Sequence, residues 1–368
     1  MTSSAQVARQ ERKLRITVLM GGSSSEREIS LATGTMIINA LDREKYEVSA
    51  IDTRDLARLA SESMPVQLES AVPESAAVGG PILGSDVGSI ALSTDRSSCQ
   101  PVHAPATSRL PPDVVVIALH GKGGEDGAVQ GMLEVLGLRY TGSGILASAL
   151  AMDKRMTKRL FRAAGIPVLA DLAVQGDRRP SDVALIAWTE EHLGGFPVFV
   201  KPNGEGSTFG CSLVHGPENL GQAVSNALQY DRVALIETYV RGREITVGVL
   251  GNAGRPLQAL PIIEIVPRGE YYDYDSKYAD GGSEHIIPAR LTVEQTKAAQ
   301  DIALQCHELL GCRCVSRTDI IARGDGLYVL EVNTIPGMTP TSLLPQAAAH
   351  AGIAFPDLLD RLIGDAMI

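Results

Sequence analysis

Cysteine is scarce in this sequence, and what there is forms no framework. The 368 residues include five, Cys99, Cys211, Cys306, Cys312 and Cys314. The number is odd, there is no C-x-x-C pair and no histidine at matching spacing, which argues against a disulfide scaffold and against a zinc site. Cys312 and Cys314 read as buried, unreactive thiols. Long apolar runs are missing as well: no stretch approaches the roughly 20 residues of a membrane-spanning helix. The polar opening, residues 1–15, lacks the apolar segment of a signal peptide, so a soluble cytoplasmic protein with no membrane partner is expected. Lysine and arginine form no long block and the formal charge is -10, which argues against a phosphate-backbone partner such as nucleic acid. Two nucleotide signatures are also absent. No loop ends in the GK[ST] of a P-loop, and no G-x-G-x-x-G follows the first strand, which disfavours a nicotinamide-dependent oxidoreductase.

What is present suits a chain of two or three domains, since 44% of the residues are hydrophobic and the length allows real cores. A β-branched run at 16–20 ends in Gly21-Gly22 and precedes a helical stretch at 29–41. Strands are expected at 46–51 and 114–119, the latter leading into His120-Gly121-Lys122-Gly123-Gly124. This is an α/β domain on a parallel sheet, with ligand groups at the carboxyl ends of the strands. Residues 57–112, rich in Ser, Ala, Pro and Gly, read as an insertion or mobile excursion. A lysine-rich helix at 153–164, closed by Gly165 and followed by Pro167, opens a new domain. Beyond it, strands at 196–201, 232–237, 244–250 and 258–266 predict antiparallel sheet decorated with helices. A helix at 292–310 then leads to a hairpin, 316–322 and 327–332, about Gly324-Asp325-Gly326.

That hairpin carries Asp319, Glu331 and Asn333. All are oxygen donors, and such a set suits hard Mg²⁺ or Mn²⁺ that share their shell with substrate phosphates; solvated strand-end carboxylates are the bland alternative. Lys201 ends an apolar strand before Gly204-Glu205-Gly206-Ser207-Thr208-Phe209-Gly210, where backbone N–H groups can approach phosphate oxygens while Lys154 and Lys201 supply charge; an ordinary flexible loop reads equally well. Glu237 and Glu244 bracket a turn where they could accept from an adenine amino group and ribose hydroxyls, or stand as surface carboxylates. Residues 333–343, with two prolines and a glycine, offer rigid donors for a carboxylate or an oxyanion, or form a structural turn. Glu26 and Glu28 sit where the first strand meets its helix, as an ammonium anchor or as capping acids behind Ser24 or Ser25. His120, before a glycine turn, could donate to a carboxylate, carry a proton or be a satisfied buried histidine.

Taken in order, these segments resemble the D-alanine:D-alanine ligases of the ATP-grasp fold. The resemblance rests on Met20-Gly21-Gly22 through Glu26-Arg27-Glu28-Ile29-Ser30-Leu31, Leu119-His120-Gly121 through Gly124-Glu125-Asp126-Gly127, and Tyr140-Thr141-Gly142-Ser143-Gly144. It continues with Met152-Asp153-Lys154, Val200-Lys201-Pro202, Tyr272-Asp273-Tyr274 with Lys277-Tyr278, and residues 317–343. It implies an α/β and α+β chain: an N-terminal Rossmann-like parallel-sheet domain at 1–142, a central ATP-grasp subdomain at 143–240 and a C-terminal ATP-grasp and metal-binding subdomain at 241–368. The implied activity is ATP-dependent formation of D-alanyl-D-alanine through a D-alanyl phosphate, for peptidoglycan precursors, by a cytoplasmic homodimer using ATP and two Mg²⁺ or Mn²⁺.

The resemblance also implies roles. Asp319, Glu331 and Asn333 would hold the metals, Lys154, Lys201 and Lys277 the phosphates, and Glu237 and Glu244 the adenosine. Arg317 and the Gly337 N–H would stabilise the tetrahedral intermediate. Glu26 would anchor the first D-alanine with His120 near its carboxylate, and Ser342 with the Leu343 N–H would bind the second. Tyr278, Ser207 and Glu26 would form a hydrogen-bonded latch that excludes water. Tyrosine at 278 resembles the dipeptide-forming members, phenylalanine there the depsipeptide-forming ones; D-lactate and D-serine are the rival acceptors. A catalytically silent relative is disfavoured by the intact Arg317, Asp319, Glu331 and Asn333. Three positions depart from the family pattern: Thr208 in place of a second serine, Thr238 where a lysine is common beside adenine, and Cys314 where glycine is expected.

Overall fold

The computed structural model describes residues 12–24, 26–55, 111–206, 208–267, 282–339 and 341–368. The 57–112 insertion falls almost wholly outside this set, as do Ser207, Lys277 and Tyr278 of the expected site.

The first sheet holds β1 (Leu14–Met20), β2 (Tyr46–Asp52) and β3 (Val114–Ile117) in the parallel order β2-β1-β3, with α1 (Arg27–Ala40) crossing between β1 and β2. Strands β1 and β3 are apolar because both their faces are covered, as parallel sheets require; every residue of β3 is buried, Val114 and Val116 in one apolar cluster and Val115 and Ile117 in another. At the carboxyl ends, buried Ser30 on α1 accepts from Gly21 N at 2.8 Å and donates to Ala118 O at 2.7 Å. This one hydroxyl joins the ends of β1 and β3 to the helix. Gly21 is the residue that must be glycine in the turn: φ is +89°, and a Cβ there would lie 2.4 Å from Asp52 Oδ1. The N-cap of α1 is Glu26, not Ser24; Ser24 Oγ accepts from Glu26 N at 3.3 Å and donates to His120 O at 2.7 Å.

After α2 (Ala128–Val135), α3 (Ile145–Met152) and α4 (Lys154–Ala163), the second sheet comprises β4 (Asp171–Gln175), β5 (Val198–Pro202), β6 (Ser212–Val214) and β7 (Val233–Thr238). It is antiparallel in the order β4-β7-β5-β6. Helices α5 (Asp182–Leu193) and α6 (Leu220–Ala227) bury Leu185, Leu220 and Val224 against its Val198, Val200 and Ile236.

The third sheet runs β11 (Ser283–Ile286), β10 (Ile263–Pro267), β8 (Arg243–Leu250), β12 (Val315–Arg323), β13 (Gly326–Asn333), with short β9 (Gln258–Ala259) beside β8. The strand expected over 258–266 is therefore two. Pro261 lies between them and has no N–H to give a ladder. Helix α7 (Val293–Leu310) covers one face, begun by a capping box of Thr292 and Gln295 and ended at Gly311 with φ +70°. The apolar sides of α3 and α4 join this core through Ala147, Ala151 and Phe161. A separate apolar cluster joins the third sheet to the first: α8 (Leu343–His350) and α9 (Phe355–Ala366) bring Leu344, Leu358 and Leu362 against Ile16, Val18 and Val116 on one side and Leu250 and Ile263 on the other. The C-terminal helices thus fix the first sheet's carboxyl edge relative to the metal-type hairpin.

Cys314 has φ +60°, the left-handed region that costs an L side chain about 1–2 kcal/mol, which is the physical reason glycine suits this position. Its side chain is fully buried, as expected, as is that of Cys312.

Buried His307 on α7 has Nδ1 2.8 Å from Ser316 Oγ and Nε2 3.2 Å from Gly251 O. The carbonyl can only accept, so the proton sits on Nε2 and the ring accepts from Ser316. Burial pushes its pKa down to about 4. A depressed folded-state pKa gives stability that is present above the unfolded value and lost as pH falls through the folded one. Between pH of about 6.5 and 4 the chain should therefore lose up to about 3 kcal/mol from this residue. Urea titrations across that window should show a shallower pH slope in His307→Gln than in the parent; equal slopes would refute the assignment.

Candidate active site

Two clefts, of about 400 and 300 Å³, open between the sheets and share Lys154, Glu205, Gly206 and Glu331 in their walls. The first also presents Glu26, His120, Arg317, Asn333, Gly337, Ser342 and Leu343; the second presents Lys201, Glu237, Glu244 and Asp319. Every described residue of the expected site lines one cleft or both.

The acidic hairpin forms the floor between them. Antiparallel register sets Asp319 opposite Glu331 and Arg317 opposite Asn333, and the two-residue period puts Glu331 and Asn333 on one face. Two carboxylates directly opposed across strands repel unless cations lie close, and cations do. Arg317 grips Asp319 with both prongs, Nε to Oδ1 at 3.0 Å and Nη2 to Oδ2 at 2.9 Å. Lys154 Nζ stands 3.1 Å from Glu331 Oε2, and Thr246 on β8 donates to Asp319 Oδ1 at 2.5 Å. Asn333 Oδ1 accepts from Ile335 N at 2.9 Å, which aims the amide and retains a second lone pair. Among the described residues no three His, Cys, Asp or Glu converge as a metal site. The set here is two carboxylates and an amide, which fits Mg²⁺ or Mn²⁺ because these ions take one or two carboxylates and fill the rest of the shell with water and phosphate oxygens.

Below the second cleft lies a buried charge network. Lys201, on β5, places Nζ 2.8 Å from Glu237 Oε2 on β7, adjacent strands in which Phe199 is paired with Glu237. Glu237 Oε1 receives Lys158, whose Nζ is also 3.2 Å from Asp171 Oδ1. Burial opposes the charges of Lys158, Lys201 and Glu237. For Glu237 the attraction of Lys201 and Lys158 prevails and its pKa is lowered, while pairing with Glu237 and Glu331 raises that of Lys201. For Lys158 burial prevails and its pKa falls. The sequence reading did not single out Lys158; its position four residues after Lys154 on α4, hence on the same helical face, was the available signal.

At the amino-acid end, Glu26 is 6% exposed. A Cβ on Gly206 would lie 3.2 Å from its Oε2 and one on Gly121 only 2.8 Å away, so glycine at both positions lets two loops close on this carboxylate. His120 Nε2 lies 3.2 Å from Thr33 Oγ1 and Nδ1 3.4 Å from Glu125 Oε1. Glu125, which also lines the cleft, was visible in the sequence only as part of the glycine-rich run. Ser342 is the N-cap of α8, and its Oγ receives Thr339 N at 3.0 Å and lies 2.7 Å from Thr339 Oγ1. Leu343 begins the helix, so its N–H belongs to the first turn, whose donors have no partner within the helix. Gly337 sits so close to Ser342 that a Cβ would come within 2.8 Å of its Oγ. Thr208 has φ +63°, the strain expected of a β-branched residue in this loop.

Comparison with known proteins matches residues 15–143 to the family model described as D-ala D-ala ligase N-terminus and residues 160–364 to D-ala D-ala ligase C-terminus. A D-alanine--D-alanine ligase from Syntrophobacter fumaroxidans is 44% identical over 95% of this chain and 97% of that protein. One from Pelotomaculum thermopropionicum is 41% identical over 96% and 97%. The crystal structure of the Bacillus anthracis D-alanine--D-alanine ligase is similar with TM-score 0.71 at 32% identity, and that of the same ligase complexed with ATP with TM-score 0.72 at 30%; each covers 96% of this chain and 97% of the solved one.

Proposed function

Because the chain belongs to the D-alanine--D-alanine ligase family, we propose that its two clefts divide one reaction, amino acids in the first and ATP in the second. The protein is an ATP-dependent ligase that joins two D-alanine molecules into D-alanyl-D-alanine for peptidoglycan precursors. The observation that carries the division is the shared wall of Lys154, Glu205, Gly206 and Glu331, where a terminal phosphate from one cleft meets a carboxylate from the other.

In the first step the carboxylate of one D-alanine attacks the γ-phosphate, giving an acyl phosphate and ADP. Lys154, Lys201 and Lys277 neutralise phosphate oxygens, and Glu237 and Glu244 hold the adenosine. Asp319, Glu331 and Asn333 hold two Mg²⁺ or Mn²⁺, which when bound offset the negative charge gathering on the transferred phosphoryl group. Glu26 receives the ammonium of the first D-alanine, with His120 beside its carboxylate. In the second step the amine of the other D-alanine, held through its carboxylate by Ser342 and the Leu343 N–H, attacks the acyl carbon. Arg317 and the Gly337 N–H stabilise the tetrahedral oxyanion before phosphate leaves. Ser207, Tyr278 and Glu26 latch a loop over the intermediate; two of the three lie outside the described residues, and the reading there rests on sequence.

We further propose the division at 1–142, 143–240 and 241–368, a homodimer, and residence in the cytoplasm. No described helix is long and apolar enough to cross a membrane. The test is phosphate release from MgATP with D-alanine alone, L-alanine alone, and D-alanine plus D-lactate, each product identified by mass. Dipeptide from D-alanine alone is expected. A mixed D-lactate product would reassign the acceptor, and no D-alanine-dependent release would overturn the substrate assignment.

A further inference from the structure

The glycine-rich loop is held at both stems by one turn. Gly204 N donates to Asp231 Oδ2 at 2.7 Å, and Phe209 stacks on Tyr230 with centroids 6.4 Å apart. Gly210 lies so near the Tyr230 ring that a Cβ would come within 2.6 Å of it. A side chain from the first sheet's His120–Gly124 turn reaches across both parts of this assembly. Lys122 Nζ donates to Tyr230 O at 3.0 Å and pairs with the Glu205 carboxylate inside the loop. The backbone of Glu205 in turn accepts from Lys154 Nζ at 2.7 Å, and Lys154 pairs with Glu331. Contacts thus run unbroken from the turn bearing His120, through the glycine-rich loop, to the acidic hairpin.

We infer that Lys122 is a positioning residue: it pins the glycine-rich loop closed from the amino-acid side, so that the loop covers the acyl phosphate. Lys122 lines neither cleft and its side chain is 52% exposed, so it acts through Glu205 and the Tyr230 carbonyl. Its cation offsets a carboxylate placed where ATP phosphates must pass, and its tie opposes opening of the loop. Water that enters an open loop attacks the acyl phosphate, returning D-alanine and inorganic phosphate without a peptide bond. The inference rests on the second cleft being the nucleotide site.

The test is steady-state kinetics of the full chain with Lys122→Ala, Lys122→Arg and Lys201→Met, reading the KM for ATP, kcat, and moles of phosphate released per mole of dipeptide. A half-exposed ion pair supports about a two- to fivefold rise in the KM for ATP in Lys122→Ala, with kcat for phosphate release within about twofold. The phosphate-to-dipeptide ratio should rise above that of the parent, Lys122→Arg should restore both readouts, and the difference should fade in about 1 M salt, where screening reaches a few ångströms. Lys122→Ala with parental KM and stoichiometry, or Lys122→Arg as defective as Lys122→Ala, would overturn the inference. Normal ATP turnover in Lys201→Met would instead sink the reading of the second cleft beneath it.

Discussion

Asp319→Asn and Glu331→Gln are each expected to lower kcat by at least about a hundredfold, the scale on which a single transition-state charge contact is lost, while leaving a folded protein. Both residues face each other across the hairpin, and both substitutions keep size and remove only charge. Asp319 loses one side of its paired grip with Arg317 but keeps an oxygen for the Thr246 hydroxyl. The cost to folding is that of weakening a charge-assisted hydrogen bond, about 1.5–3 kcal/mol, too little to account for silence. Phosphate release alongside thermal melting by circular dichroism separates the two effects. EDTA should silence the parent and added Mg²⁺ or Mn²⁺ should restore it. Parental turnover in either variant, or indifference to EDTA, would refute the metal assignment.

Glu237→Gln should be strongly destabilising for so conservative a change. It removes the charge shared by Lys158 and Lys201, both almost fully enclosed. Breaking a buried pair by deleting one partner costs about 3–5 kcal/mol because the other charge remains uncompensated. Adding Lys201→Met removes a stranded cation, so the double variant should recover part of the loss; a double variant that loses the full sum of the two single costs would count against the coupling. The pH dependence follows in sign. The Glu237 pKa is lowered on folding, so its contribution is present above the ordinary carboxylate range and is lost as pH falls through the depressed value. Chemical denaturation at neutral and acid pH should show the gap between parent and Glu237→Gln narrowing as the medium becomes acid.

What is legible in the sequence follows the range of the forces involved. The helix begun at Thr292 and ended at Gly311, the turn at Gly21-Gly22 and the hairpin carrying Asp319 and Glu331 were legible because capping, left-handed turns and two-residue alternation are decided within a few residues. Helix α3, with the sequence ILASALAM, was not singled out because it is apolar on nearly every side, and periodicity cannot reveal a helix without a polar face. Pro261 is a local signal as well, but one that the alternation of the run around it masks.

Short-range order along the chain thus sets the local geometry of the elements and the identity of the chemical groups, and the order of its motifs sets the family to which they belong. Which groups meet is settled by packing between distant segments. Glu237, in the sequence a strand-end residue that brackets a turn with Glu244, is locked between lysines 36 and 79 positions away in the chain. Lys122, one more polar residue of a glycine turn, reaches a carbonyl 108 positions on. Such contacts depend on how helices α8 and α9 pack between the first and third sheets, and long-range packing of apolar surface, being non-directional, leaves no short pattern in the chain.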